Sequence, residues 1–338
     1  MSAILTDEQT LLLDSVRRFL DDKTSTYTQR KNIGAAELAS LWNECAQMGW
    51  LQICVPEDQS GLGLSLLDAA LISEEAGRSL LPLPLTQAIA VAALLPSCAL
   101  DDNESSQTLA HWLQGDTYLG TTASQDSDNN SWAEYAMVGE QALDIHWADN
   151  RVIFSGYNIT HADHGIDPLI STSTITREAP AWTTSGDCSS ASWQVFYRRR
   201  RVLRLAELIG TSSKALEAAV AYACEREQFG KAIGINQALK HRLADNWMAI
   251  DNARLALHAT CTAIEEERDT ELPMLMAELL AIEASDATTR HAIQTFGAMG
   301  FTWECPMHFY LKRVKHIVAL LGRRHDTAAI LAQIWELA

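Results

Sequence analysis

The chain has no uninterrupted apolar stretch approaching the eighteen or so residues that a membrane-spanning helix needs. It also lacks a basic segment followed by an apolar core and a small-residue cleavage site, so neither a membrane anchor nor a secretory leader is expected, and the cytoplasm is the expected compartment. Cationic residues are scarce: 26 Lys and Arg against 43 Asp and Glu leave a formal net charge of −17. Such a surface repels a polyanion, which argues against a nucleic-acid partner. The seven cysteines (Cys45, Cys54, Cys98, Cys188, Cys224, Cys261, Cys305) are scattered, with no C-x-x-C pair and no histidine at zinc-site spacing. They read as buried thiols of a reducing compartment, and no metal site is expected. No P-loop, G-x-G-x-x-G, H-E-x-x-H or G-x-S-x-G is present, and no internal repeat.

What is present is periodicity that changes twice. Thr6 followed by Gln9 is a capping-box pattern, and Leu12, Leu13, Val16, Phe19 and Leu20 then recur at helical spacing. Residues 36–49 and 66–80 repeat the pattern, separated by Pro56 and the Gly61–Leu62–Gly63 turn. From about 116 to 198 the texture becomes short alternating runs such as Arg151–Phe154 and Trp193–Phe196, divided by Asp, Asn, Ser and Thr. Helical spacing returns over 203–226, 236–268, 271–298 and 305–320. The expectation is an α+β chain with an N-terminal helical domain over 1–115, a shortened middle β domain over 116–198 and a C-terminal helical domain over 199–338.

Three segments then carry a resemblance. The stretch Tyr222–Asp245, YACEREQFGKAIGINQALKHRLAD, is similar to the Y-x-x-x-R-x-x-F-G-x-x-I-x-x-x-Q-x-x-x-H signature of flavin-dependent acyl-CoA dehydrogenases. Gln294–Glu304, QTFGAMGFTWE, resembles that family's Q-x-x-G-G-x-G-F-x-x-E turn. Val55–Gly63 together with Glu74–Arg78 resembles its N-terminal turn and helix. The resemblance implies the acyl-CoA dehydrogenase fold, an FAD cofactor and an acyl-CoA substrate. By packing preference alone, Tyr222, Phe229, Leu239 and Leu243 read as helix-core residues. The resemblance instead assigns Arg226, Gln228, Phe229, Gln237, Gln294 and Gly297 to the ADP part of a neighbouring subunit's FAD. A guanidinium fork suits a pyrophosphate, and a glycine-rich turn can present backbone N–H groups to it. Ala298 stands where the family has a second glycine, and its methyl group would crowd that phosphate.

The departures are equally informative. The family's T-E-x-x-G-S-D loop and W-I-T-N strand, which hold the flavin ring, are missing. Thr121–Asn129 and Tyr157–His161 occupy those places. The two positions where the family puts its proton-abstracting glutamate are, by spacing, Gly322 and Arg200, and neither can take a proton. Glu207 is the nearby carboxylate: a relocated base on one reading, half of an ion pair with Arg204 on the other. The run Arg198–Arg201 with Arg204 falls at an apparent helix start, where like charge opposes the dipole unless it is solvated, faces a partner or meets CoA phosphates. Together these traits resemble the small, non-catalytic subunits of bacterial α2β2 acyl-CoA dehydrogenases of steroid side chains. That resemblance implies a larger catalytic partner and a chain inactive alone. A non-redox homo-oligomeric scaffold and an enzyme using Glu207 remain the alternatives.

Overall fold

The computed structural model describes residues 5–24, 33–101, 104–122, 130–321 and 328–332. Helices α1 (Asp7–Thr24), α2 (Ala35–Gln47), α3 (Leu66–Arg78) and α4 (Leu85–Leu94) come first, then β1 (Ala99–Leu100) and α5 (Glu104–Gln114). Seven strands follow: β2 (Leu119–Thr122), β3 (Asn130–Glu134), β4 (Gln141–Ala148), β5 (Arg151–Asn158), β6 (Asp163–His164), β7 (Ser171–Thr176) and β8 (Trp182–Asp187). The chain closes with α6 (Ser190–Glu225), a two-stranded hairpin of β9 (Glu227–Gln228) and β10 (Lys231–Ala232), α7 (Gln237–Glu265), α8 (Glu271–Phe296) and α9 (Met307–Leu321). The helix–sheet–helix order expected from periodicity is therefore the order found.

The start of α1 shows why. The Thr6 hydroxyl accepts from the Gln9 N–H at 3.1 Å while the Gln9 side chain accepts from the Thr6 N–H at 3.2 Å, a complete capping box. Residues Leu13, Val16 and Leu20 then form the buried stripe.

The chain divides into two compact units, each traversed in part by α3 and α6. One contains α2, α4, α5 and the eight-stranded sheet, ordered β1-β8-β5-β4-β2-β3-β7-β6, with β2 and β4 its parallel pair. Its helical part centres on Trp42, which stacks on Trp112 with ring centroids 5.7 Å apart and donates its indole N–H to the Trp112 carbonyl at 3.0 Å. Inside the sheet, Asp144 accepts from Thr122 and twice from Arg177, so this buried charge is paired and hydrogen-bonded. Helix α4 is buried on nearly all sides; its sequence is apolar but for Thr86 and Gln87, and the Thr86 hydroxyl donates to the Gln87 side-chain oxygen at 2.8 Å.

The other unit holds α1, the C-terminal part of α3 and the chain from Arg204 onward. Here α3 and α6 cross at backbone contact. A Cβ on Gly77 would lie 2.0 Å from the Glu207 carbonyl oxygen, and one on Gly210 would lie 1.8 Å from the Glu74 carbonyl oxygen. Only glycine fits either position.

Two expectations about α6 fail. Trp193–Phe196 is helix rather than strand, because the Ser189 hydroxyl accepts from the Ser192 N–H at 3.0 Å and starts the helix there. The arginine run consequently lies turns inside α6, beyond the reach of the N-terminal dipole. Arg198–Arg201 are half-buried, and three of the four bond within their own unit: Arg199 to the Ala93 carbonyl, Arg200 to the Thr122 carbonyl and Arg201 to the Tyr197 hydroxyl. The cysteines also differ from expectation, with Cys224 exposed and Cys54 and Cys98 half-buried. Among the described residues no helix is long and apolar enough to cross a membrane.

Candidate functional site

The hairpin joining α6 to α7 gathers four of the residues singled out by the sequence. Its register pairs Lys231 with Gln228 and Ala232 with Glu227, leaving Phe229 and Gly230 as a two-residue turn. Both have positive φ, 53° and 72°, the type I′ combination that normally selects Asn-Gly. A phenylalanine there is strained, and this one is fully exposed, at 102% of its reference area. Phe229 is thus a turn-tip residue and not part of a helix core. Of its companions in that packing reading, Leu243 is buried and Tyr222 and Leu239 are half-buried.

Arg226 precedes the hairpin. Its backbone is fixed, with its N–H donating to the Tyr222 carbonyl and its own carbonyl accepting from Ile233, both at 2.8 Å. Its exposed guanidinium has no protein partner among the described residues. Gln228 donates to the Glu227 carbonyl at 2.8 Å, and Gln237, the first residue of α7, is exposed.

A second group lies at the end of α8. Gln294, Gly297 and Ala298 line a cleft of about 380 Å³ with Arg290, Ile293, Phe301 and Leu311. The Tyr222 ring stacks on Phe296 at 4.2 Å, tying this end of α8 to the turn of α6 just before Arg226. Gly297 turns the chain at φ 64°, with open space where a Cβ would be. Its N–H, however, is used on the Gln294 and Ile293 carbonyls that end α8, so Gly297 supplies a conformation rather than a donor.

The candidate base is differently placed. Glu207 is 3% exposed, and its Oε1 accepts from Arg313 Nη1 at 3.1 Å. Arg313 is completely buried and also donates to the Leu80 and Leu81 carbonyls at 3.3 and 3.1 Å. Arg204 Nη1 lies 4.0 Å from Glu207 Oε2, so the main ion pair is with Arg313 and not with the nearer residue in sequence. Arg200 donates to the Thr122 carbonyl at 2.8 Å, a use that leaves its position no acid–base role. Gly322 and residues 123–129 lie outside the described residues. Tyr157 is buried against Ala133, Ala142 and Ile175 within the sheet. Glu304 is exposed, and hydrogen bonds from its own N–H and from Thr302 hold its carboxyl below the usual range.

A larger cleft of about 720 Å³ lies among α1, α3, α6 and α7. Its polar floor is internally satisfied, with Arg17 on Glu75 at 2.8 Å, Arg78 on Glu217 at 2.7 Å and Arg254 on Glu74 at 2.7 Å. Burial is the largest single influence on the Glu217 carboxyl and pushes it up, but the Arg78 hydrogen bond together with the charges of Arg78, Lys214 and Arg17 outweighs it and holds the group below its ordinary value. The sequence signalled none of these pairings, because each joins separate elements. It was also silent on the exposed apolar residues Trp247, Met248 and Leu255 of α7 and Met299, Phe301 and Trp303 after α8.

Comparison with known proteins agrees with the fold. The acyl-CoA dehydrogenase N-terminal domain family matches residues 6–113 and the acyl-CoA dehydrogenase C-terminal domain family matches residues 193–332. The acyl-CoA dehydrogenase IpdE2 of Mycobacterium tuberculosis is 30% identical over 88% of this chain and 87% of its own length. The IpdE2 of Mycolicibacterium smegmatis is 29% identical over 94% and 96%. Among solved structures, a variant of the Tcur3481-Tcur3483 steroid ACAD superposes with a TM-score of 0.79 at 21% identity, covering 98% of both chains. The ChsE4-ChsE5 complex from Mycobacterium tuberculosis gives 0.77 at 18%, covering 100% of both. FAD is the cofactor of this family, and a free guanidinium beside an outward aromatic ring suits its phosphates and adenosine. The chain belongs to the acyl-CoA dehydrogenase family.

Proposed function

We propose that this chain is the non-catalytic subunit of a cytoplasmic, heteromeric FAD-dependent acyl-CoA dehydrogenase. The complex introduces an α,β double bond into an acyl-CoA, a CoA thioester of a steroid or bile acid side chain. The observation that carries this reading is Phe229: a strained, wholly exposed aromatic ring gains nothing inside its own chain and is explained by a contact outside it. Arg226 beside it grips the pyrophosphate of an FAD held mainly by the partner, Phe229 packs along the adenosine, and Gln228, Gln237 and Gln294 border the same half-site. Bound FAD supplies the hydride acceptor of the reaction. The carboxylate that removes the α proton belongs to the larger partner, since Glu207 is sealed between two guanidiniums, beyond hydrogen-bond reach of a substrate carbon. Two solved neighbours are named as pairs of different components, and one as a steroid enzyme, which supports a two-component assembly and that substrate class.

The test is co-expression with a larger homologue. The isolated chain is expected to be colourless or substoichiometric in flavin, and the pair to form an active α2β2 tetramer with two flavins. A yellow, stoichiometric and active homo-oligomer, or four flavins per tetramer, would overturn the reading.

A further inference from the structure

The sheet unit contains a pair of thiols that the proposed chemistry does not use. β1 pairs with β8 in antiparallel register, Ala99 opposite Asp187 and Leu100 opposite Gly186. One step further along the same ladder, Cys98 stands opposite Cys188. Cys98 is already extended, with φ −118° and ψ 133°.

The hydrogen bonds give the type of site. The Asp101 N–H donates to the Ser185 carbonyl at 2.8 Å, making 101 and 185 a bonded pair. Bonded and non-bonded pairs alternate, so 98 and 188 form a non-hydrogen-bonded pair. The other face of β8 agrees, because the Cys188 N–H is directed away from β1 and donates to the Asn150 carbonyl at 2.8 Å. Such pairs have Cα atoms about 4.5 Å apart, the closer of the two spacings, with side chains on the same face. That spacing lies within the roughly 4.4–6.8 Å that a disulfide spans. β1 and β8 are tightly apposed here: a Cβ on Gly186 would meet the Ala99 carbonyl oxygen at 2.5 Å.

We infer that Cys98 and Cys188 are a redox pair that closes into a reversible cross-strand disulfide when a small-molecule disulfide is in excess. Cys98 is half-buried and Cys188 is buried, so the exchange begins at Cys98. Its thiolate attacks one sulfur of the oxidant RSSR, releasing RS⁻ and leaving a mixed disulfide. The Cys188 thiolate then attacks the Cys98 sulfur and expels the second RS⁻. Two protein thiols lose two electrons and two protons, and RSSR becomes two RSH. Burial and the adjoining Cys188 thiol push the Cys98 thiol up to about 12, so Cys98 rests as the protonated thiol and its attack on the oxidant is slow near neutrality.

The bond joins the residue just before β1 to the residue just after β8, so the loop it closes contains every strand of the large sheet. In the reduced state the two-residue edge strand β1 is held by its short ladder and by exposed contacts from Arg151 to Asp101 and Asp187. The oxidised state replaces that with a covalent tether, which stabilises most when the closed loop is long.

The experiment uses the full chain carrying Cys224→Ser, which removes the exposed thiol. It is incubated with excess oxidised glutathione, and its thiols are then counted in denaturant with Ellman's reagent. The expected result is a fall from six titratable thiols to four, a linked peptide containing Cys98 and Cys188, a raised melting temperature and full reversal by dithiothreitol. Closure is also expected to be faster at pH 9 than at pH 7. Cys98→Ser is expected to leave the reduced chain's melting temperature within a few degrees and to abolish the linked peptide and the thermal shift. Six thiols after oxidation, a glutathione adduct at Cys98 without closure, or a dominant link between other cysteines would each overturn the inference.

Discussion

Replacing Arg313 by methionine separates a structural Glu207 from a catalytic one. The arginine is wholly buried and donates to Glu207 Oε1 and to the Leu80 and Leu81 carbonyls. Its loss leaves the Glu207 carboxylate buried without its nearest counter-charge, the situation that costs about 3–5 kcal/mol when one half of a buried pair is removed. Two carbonyls losing a charged donor place the value at the upper end of that range. At a urea slope of about 3 kcal/mol/M the unfolding midpoint then falls by more than ~1 M. Glu207→Gln keeps an oxygen facing Arg313 Nη1 but leaves the buried guanidiniums of Arg313 and Arg204 without this carboxylate, so its cost lies at the lower end of the same range, about 3 kcal/mol. The double variant, Glu207→Leu with Arg313→Met, is expected to recover much of the single-variant loss, as apolar replacements of buried pairs do. The assay is urea unfolding of the isolated chain, followed by turnover of the complex reconstituted with Glu207→Gln. A midpoint shift below about 0.3 M for Arg313→Met would refute the structural role. A folded Glu207→Gln complex losing more than about 100-fold in turnover would make Glu207 the base.

Three further outcomes are expected. Arg226→Ala should leave folding and pairing intact but weaken flavin retention by about 1.5–3 kcal/mol, with Arg226→Lys recovering only part; unchanged flavin content would remove Arg226 from the cofactor site. Phe229→Asn relieves the positive-φ strain, so it should raise the isolated chain's stability by about 0.5–1 kcal/mol while reducing flavin retention in the complex; a gain in both, measured by thermal melting and flavin titration, would contradict the proposed role. Burial lowers the His258 pKa, with Arg254 adding to the effect and Glu74 and Asp251 opposing it. The unfolded chain therefore takes up a proton that the folded chain refuses: stability should fall as pH drops through 6.5 and level off below the folded value, and His258→Asn should flatten a melting profile taken from pH 7.5 to 5.

The helical parts were legible because their signals are local. The Thr6–Gln9 box closes within one turn, and the α7 and α8 spacings run for many turns. Trp193–Phe196 was not legible as helix: in a four-residue window, Trp193 and Val195 fit an alternation while Trp193 and Phe196 fit a helical face. What decides it is Ser189 together with the stacking of Trp193 on Trp147, 6.5 Å away. The signature around Arg226 was readable as a motif, but not as a strained hairpin tip, since Phe229 has the composition of a core residue and the backbone of a turn. The partner of Glu207 was hidden for a different reason. Arg313 is 106 residues away, and no periodicity links α6 to α9.

The crossing of α3 and α6 has a consequence for how this unit tolerates change. The residue whose carbonyl rests on Gly210 is Glu74, and its side chain clasps Arg254 of α7; the residue whose carbonyl rests on Gly77 is Glu207, and its side chain clasps Arg313 of α9. One glutamate on each helix thus makes both the closest backbone approach and the charged link to a third helix. A methyl group at either glycine would wedge α3 from α6 and pull on α7 and α9 together, because both are anchored to that same point. The four helices share a single pivot, so α7, which begins at Gln237 beside the hairpin, takes its bearing from two hydrogen atoms where side chains would otherwise be.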